Sequence, residues 1–177
     1  MKSILKFMYP LKFLLVIVLF FQIYNQLVQT TGLIYPIDSR DSINYQLEKN
    51  LRYLGAPDKK IPEISFAIRA AEATTGIRQE LITSLIKTES DFRNNAISKK
   101  NYKGYMQTPK ASFEYAEVDI LYGAKILQHK LKITDGDLLK ALTLYKGGNN
   151  QLARKYAIET LELYKKLISK NSQRNGE

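Results

Sequence analysis

Apolar residues recur along most of the chain with the period of an amphipathic helix, and no segment alternates with a period of two. The first predicted helix runs from Ser42, a suitable cap, to Leu54, and Gly55 ends it. The second begins at Pro62, a residue favoured in the first turn, and ends at Gly76. This pattern predicts an all-α fold.

The same pattern continues in the rest of the chain, with one interruption. The segment from Asp91 to Tyr105 has neither period and is rich in Asn, Ser and Gly, so we expect a loop there, and Pro109 opens another helical turn. A polar stretch from Asn171 to Glu177 predicts a disordered tail. The remaining helices are predicted over Arg78–Ser90, Glu117–Leu131, Asp137–Tyr145 and Gln151–Ser169.

The helix predicted after Gly76 ends its apolar face in a carboxylate. Leu81 and Leu85 form one row of this face, and the next position of that row is Glu89. A Glu in line with a buried face lies at the rim of the core or in a cleft, where desolvation raises its pKa and keeps it protonated, as a general acid requires. The alternative is a rim residue whose stem packs and whose carboxylate reaches water.

The N-terminus predicts export. Three lysines among the first twelve residues precede the apolar run Phe13–Phe21, which is the pattern of a signal peptide or signal anchor, here assigned to residues 1–28. No small-x-small cleavage site follows, which favours an uncleaved anchor over a cleaved signal; a buried N-terminal helix is the alternative. Residues 29–41, with Gly32 and Pro36, are predicted to be a linker, residues 42–170 the folded domain and residues 171–177 the tail.

Composition narrows the function. The chain has no cysteine, which excludes a disulfide scaffold, a thiol nucleophile and most structural zinc sites. Its net charge of +10 favours polyanionic partners such as nucleic acid, anionic lipid or an acidic cell wall. The single histidine, His129, has nothing to pair with as a nucleophile or ligand set and is expected on the surface.

Several short blocks carry a family resemblance. They are Glu89-Ser90, Ala96-Ile97-Ser98, Gly104-Tyr105-Met106-Gln107, Asp119-Ile120-Leu121-Tyr122-Gly123 and Leu144-Tyr145-Lys146-Gly147-Gly148. In this order and spacing they resemble the soluble-type lytic transglycosylases, relatives of goose-type lysozyme. The resemblance covers roughly Pro62 to Leu167 and implies a lysozyme-like helical domain with a substrate cleft.

The resemblance also implies a chemistry. Enzymes of this family cleave the β-1,4 bond between N-acetylmuramic acid and N-acetylglucosamine in peptidoglycan with one catalytic Glu, whose counterpart here is Glu89. The attacking group is the C6 hydroxyl of the muramic acid itself, so the product is a 1,6-anhydro sugar. The reaction calls for no metal and no cofactor.

The other matched positions are expected to bind the substrate. The resemblance implies that Ser98 and Gln107 hydrogen-bond the sugar or the Glu, that Met106 lines the cleft, and that Tyr145 contacts the acid or the sugar. Without the resemblance, the Ser and the Gln would be solvated loop residues and the Tyr a core aromatic. The full predicted substrate-binding set is Ser90, Ser98, Tyr105, Met106, Gln107, Tyr145 and Lys146.

Four departures from the family pattern bear on the activity. Tyr105 replaces Leu as a cleft-wall residue, Thr108-Pro109 is one apolar residue short, and Leu152-Ala153 replaces Glu-Thr. Lys146 replaces Asn: an ammonium pointing at Glu89 would lower the pKa of that carboxyl, whereas one pointing outward would bind an anionic wall polymer. We expect the outward orientation, because a long Lys stem beside two glycines reaches water easily.

The sequence therefore predicts an exported, membrane-anchored lytic transglycosylase of the bacterial cell envelope. Its expected partners are peptidoglycan strands, the inner membrane through residues 1–28, and a cell-envelope assembly partner. Nucleic acid is not expected, because the basic residues are dispersed and the export segment opposes it. The alternatives are a lysozyme that uses water in place of the C6 hydroxyl, and a catalytically weak wall-binding or assembly module.

Overall fold

A computed structural model describes residues 37–109, 115–148 and 150–172, with the side chains from residue 45 onward. The chain divides into two compact units, Met1–Ile43 and Asn44–Glu177, and only the helical backbone of residues 37–43 is described in the first. The predicted anchor over residues 1–28 lies outside the described residues. No helix among those described has the length and apolar character needed to cross a membrane.

The described residues form helices joined by short turns and one long loop, without a β-strand. A single 3-10 turn, Asp58–Lys60, precedes the second helix, and two isolated bridges tie the long loop together, Ile97 to Lys103 and Lys103 to Thr108. The all-α prediction is confirmed for this part of the chain. The helices are α1 Ile37–Tyr53, α2 Ile61–Thr75, α3 Gln79–Ser90, α4 Ala116–Ile133, α5 Leu138–Tyr145 and α6 Gln151–Ser172.

Most helix boundaries agree with the sequence pattern to within two residues, and the clearest is the end of α2. Gly76 there adopts φ 70° and its N–H bonds to the Glu72 carbonyl at 2.8 Å, the left-handed cap expected of a glycine. The start of α1 was predicted wrongly. The helix begins at Ile37, so Ser42 lies inside it and is not its cap, and residues 37–41, which were predicted to belong to the linker, are helical.

The C-terminal helix also runs further than predicted, because its end is held by side chains. Asn171, predicted to start the tail, accepts a hydrogen bond from Gln46 at 2.6 Å and donates one to the buried Glu80 at 3.1 Å. These bonds join α6 to α1 and α3 and continue the helix to Ser172. Residues 173–177 lie outside the described part.

Helix α3 is the most buried element. Both of its apolar rows, Leu81 with Leu85 and Ile82 with Ile86, lie in the hydrophobic core. Helix α2 packs against α4, α3 packs against α6, and α5 contacts both α4 and α6. Burial of two rows anchors α3 from both sides and fixes the direction in which its C-terminal turn leaves the core.

Candidate active site

Glu89 lies in the last turn of α3, where the apolar row leaves the core. The helix stops immediately afterwards, because Asp91 and Phe92 both have positive φ, 54° and 60°. Two such non-glycine residues in succession are costly, and the burial of the Phe92 ring helps to hold the turn. This sharp exit leaves the Glu89 carboxylate at the edge of the core, with 9% of its side chain exposed.

Glu89 opens into a cleft of about 580 Å³. Its lining comes from the end of α3, the loop that follows α3, the turn after α5 and the exposed face of α6. Of the predicted site residues, the structure brings Glu89, Ser98, Gln107 and Lys146 together here. The complete lining is Thr88, Glu89, Arg93, Asn95, Ala96, Ile97, Ser98, Gln107, Lys146 and Tyr156.

Lys146 points inward, so the expected outward orientation is wrong. Its Nζ lies 2.8 Å from Glu89 Oε1, and its side chain is only 11% exposed. The same nitrogen lies 3.4 Å from the Thr88 carbonyl oxygen and 5.0 Å from the centroid of the Tyr156 ring. A largely buried carboxylate, a carbonyl and an aromatic face together replace the water that an outward lysine would have reached.

Two opposed effects set the protonation of Glu89. Burial raises the pKa of its carboxyl, and the charge and hydrogen bond of the Lys146 ammonium lower it. Burial is the larger effect, so the pKa of Glu89 is raised above its usual value despite the ion pair. The pKa of this carboxyl is therefore raised, as the sequence predicted, but by less than burial alone would raise it.

The two polar loop residues of the predicted set brace the cleft wall. Gln107, with φ 47°, donates from Nε2 to the carbonyls of Ala96 and Gly104 at 2.8 and 2.9 Å. Ser98 Oγ accepts a hydrogen bond from the Tyr102 amide at 3.0 Å. Both residues face the cleft, and both also fold the loop that forms it, so their substitution would disturb shape as well as binding.

Three predicted substrate-binding residues lie beneath the cleft rather than in it. Ser90, Tyr105 and Met106 are buried, and none lines the cavity. The Met106 side chain packs onto Gly123 of α4, where a Cβ atom would come within 2.5 to 2.7 Å of it, and Ser90 Oγ donates to the Ile86 carbonyl at 3.2 Å. Their side chains are packed in the core and between helices, so almost none of their surface is available to a substrate.

Tyr145 links the buried residues beneath the cleft to the site. Its hydroxyl donates to the Met106 carbonyl at 2.9 Å, and it is not among the cleft-lining residues. Burial, together with the nearby charge of Glu89, raises the pKa of Tyr145 well above its usual value, so the phenol stays neutral. Tyr145 therefore holds the turn that ends at Gln107 and does not titrate in the working range of pH.

Asp119 of α4 supports the same turn from behind. Its Oδ2 accepts a hydrogen bond from the Tyr105 amide, and its Oδ1 has no hydrogen-bond partner among the described residues. The space is tight, because a Cβ atom on Gly104 would lie 2.3 Å from Oδ2. Burial raises the pKa of Asp119 to about 6.

Six lining residues were not among the predicted site residues: Thr88, Arg93, Asn95, Ala96, Ile97 and Tyr156. The loop residues had no periodicity to place them, and Arg93 is fixed by its own bond from Nε to the Ser90 carbonyl at 3.0 Å. Tyr156 is 41% exposed on α6, and its place in the cleft depends on how that helix packs. His129 is exposed, as predicted.

The chain belongs to the transglycosylase SLT domain family, whose model matches residues 66–168, more than half of the sequence. This confirms the resemblance to soluble-type lytic transglycosylases. The matched segment begins in α2, ends in α6 and contains every residue that lines the cleft. The family supports a transglycosylase-like enzyme acting on peptidoglycan in the cell envelope. Neither a curated protein nor a solved structure matches the chain.

Proposed function

We propose that the protein is a peptidoglycan lytic transglycosylase, which cleaves the β-1,4 bond between N-acetylmuramic acid and N-acetylglucosamine and leaves a 1,6-anhydro end. One observation carries the proposal: Glu89 is the only acid among the described residues that line the cleft. Glycosidases that use water or a protein nucleophile generally need two carboxylates. A single carboxyl of raised pKa suits a reaction in which the substrate supplies the nucleophile.

The proposed reaction uses Glu89 twice. The protonated carboxyl donates its proton to the glycosidic oxygen as the bond from C1 of the muramic acid to that oxygen breaks, which releases N-acetylglucosamine with a free hydroxyl. The resulting carboxylate then takes the proton of the C6 hydroxyl while the C6 oxygen forms a bond to C1 of the same muramic acid. The acid is thereby restored, and no water enters.

The remaining finer predictions belong to the same proposal. Residues 1–28 would hold the protein in the inner membrane, with the domain outside it, and the net charge of +10 would favour an anionic wall. Ser98, Gln107 and Lys146 would contact the glycan, since they line the cleft. A cell-envelope assembly partner stays a prediction, because no described contact bears on it.

A catalytically weak wall-binding module is the second candidate. It is favoured by the ion pair of 2.8 Å between Lys146 and Glu89, because the ammonium favours the ionised carboxylate, which has no proton to donate. Under this reading the cleft would bind peptidoglycan and release no fragments.

Glycan release by two carboxylate variants separates these candidates. Glu89→Gln keeps the shape of the side chain and removes the proton, so release of soluble fragments should fall roughly a hundredfold or more. Asp91→Asn is the matched control: Asp91 pairs with Lys87, lies outside the cleft lining and should retain activity. Equal release by the wild type and Glu89→Gln would refute the assignment, and binding without release by the wild type would favour the module.

A further inference from the structure

The contact between Lys146 and Glu89 raises a question for the proposed reaction. The ammonium lies 2.8 Å from the one carboxyl that must carry the proton, with about a tenth of each side chain exposed. An ion pair of this kind favours the ionised carboxylate. The ion pair therefore works against the protonation that the burial of Glu89 favours, and a ligand that drew the ammonium away would assist the first step.

The position of Lys146 shows what kind of group could do so. Lys146 is one of the residues that line the cleft, and the other described contacts of its Nζ, the Thr88 carbonyl and the Tyr156 ring, are electrically neutral. Sugar hydroxyls are also neutral and cannot replace a carboxylate as the partner of an ammonium. An anionic group of the ligand can, and Arg93 supplies a second cation in the same lining.

We propose that Lys146 is a specificity-determining residue that binds a carboxylate of the glycan next to the scissile bond and, in doing so, releases Glu89 to take up its proton. This inference rests on the proposed function and adds a requirement for an acidic substrate. A neutral glycan of the same backbone would leave the ion pair intact, and cleavage would be slow.

Peptidoglycan offers that carboxylate from two sources. A muramic acid residue without a peptide has a free lactyl carboxylate, whereas one that bears a peptide presents the carboxylates of the peptide instead. The shared chemistry is a carboxylate close to the muramic acid ring. Strands with and without peptides therefore distinguish the two sources.

The test compares kcat/KM on four substrates: strands with peptides and strands without, each native and after amidation of its carboxylates with methylamine. For the full-length wild type, amidation should lower kcat/KM about tenfold or more on at least one strand type, the loss expected for a charge-assisted hydrogen bond. For Lys146→Asn, amidation should change kcat/KM by less than about threefold. Lys146→Arg should restore the preference, because it restores the cation.

The matched control is Lys132→Asn, which removes one positive charge from the exposed last turn of α4, outside the cleft. It should retain the wild-type preference. If amidation affects the wild type and Lys146→Asn equally, or does not affect the wild type, Lys146 does not select the substrate. The proposed function would then survive, provided that Glu89→Gln remains inactive. If the wild type cleaves none of the four substrates, both proposals fail.

A pH profile separates this role from a structural one. Glu89 is faced by Lys146 and Tyr145 at the end of α5, by Arg93 of the loop in the same cleft, and by Tyr156 of α6. Removal of the ammonium should raise the pKa of Glu89. The limb on which kcat/KM falls with rising pH should then move to higher pH in Lys146→Asn, by roughly one pH unit. An unchanged limb would contradict the coupling.

Discussion

The replacement of Asp119 by Asn should stabilise the protein, even though it alters a buried hydrogen-bonding residue. The Asp119 carboxyl is 2% exposed, accepts one bond from the Tyr105 amide and leaves Oδ1 without a described partner. An amide keeps an oxygen to accept that bond and carries no charge. The substitution therefore removes the burial of an ion, and the amide N–H2 group that takes the place of the unpartnered Oδ1 offsets part of that gain.

The magnitude follows from the pKa of Asp119, which burial raises from 3.8 to about 6. The folded protein holds this proton more tightly than the unfolded chain does, so the contribution is fully present below pH 3.8 and is lost as pH rises through 6. Above that range the buried charge costs on the order of 3 kcal/mol. Asp119→Asn should recover about 1 to 3 kcal/mol at pH 8 and almost nothing at pH 4.

Urea unfolding of the full chain, followed by circular dichroism at both pH values, measures this difference. Asp137→Asn is the matched control with the opposite sign. Asp137 caps α5, its pKa is lowered mainly by the hydrogen bond from the Lys140 amide, and its contribution is therefore lost as pH falls. A loss of stability in Asp119→Asn at pH 8, or a difference that does not vary with pH, would refute the reasoning.

Three further predictions concern the support of the site and the extent of the fold. Gly104→Ala should cost more than about 2 kcal/mol in denaturant unfolding, because φ is 88° and the new Cβ would lie 2.3 Å from Asp119; a cost below about 0.5 kcal/mol would contradict this. Gly123→Ala should cost about 1 to 3 kcal/mol, and Met106→Ala in the same chain should recover part of it, whereas strict additivity would show that the two do not collide. A chain that starts at Ile37 should be soluble and helical by circular dichroism, and aggregation would show that the preceding residues are needed.

The sequence predicted the helices well where periodicity and a stop residue coincide. Helix α2 is an example, since its apolar row and Gly76 agree on the same boundary. The start of α1 and the end of α6 were missed because polar residues there belong to helices. At the end of α6, Asn171 is held by side chains far away in the sequence, and local composition contains no trace of them.

Within the site, periodicity located Glu89 and could not locate its neighbours. An apolar row that ends in an acid marks the edge of a core, and the structure places Glu89 there. The direction of Lys146 depends on a partner 57 residues away, and four flexible bonds allow either orientation. The burial of Tyr105 and Met106 likewise depends on how the loop folds onto α4, and a loop without a period gives no sign of its inner face.

The most direct test of the central claim is mass spectrometry of peptidoglycan strands digested in water enriched in the heavy oxygen isotope. If the C6 hydroxyl attacks while Glu89 supplies and recovers the proton, the new muramic acid ends are 1,6-anhydro and carry no label. They should be absent with Glu89→Gln and present with Asp91→Asn. New reducing ends that carry one heavy oxygen would show that water is the nucleophile, and would contradict the account.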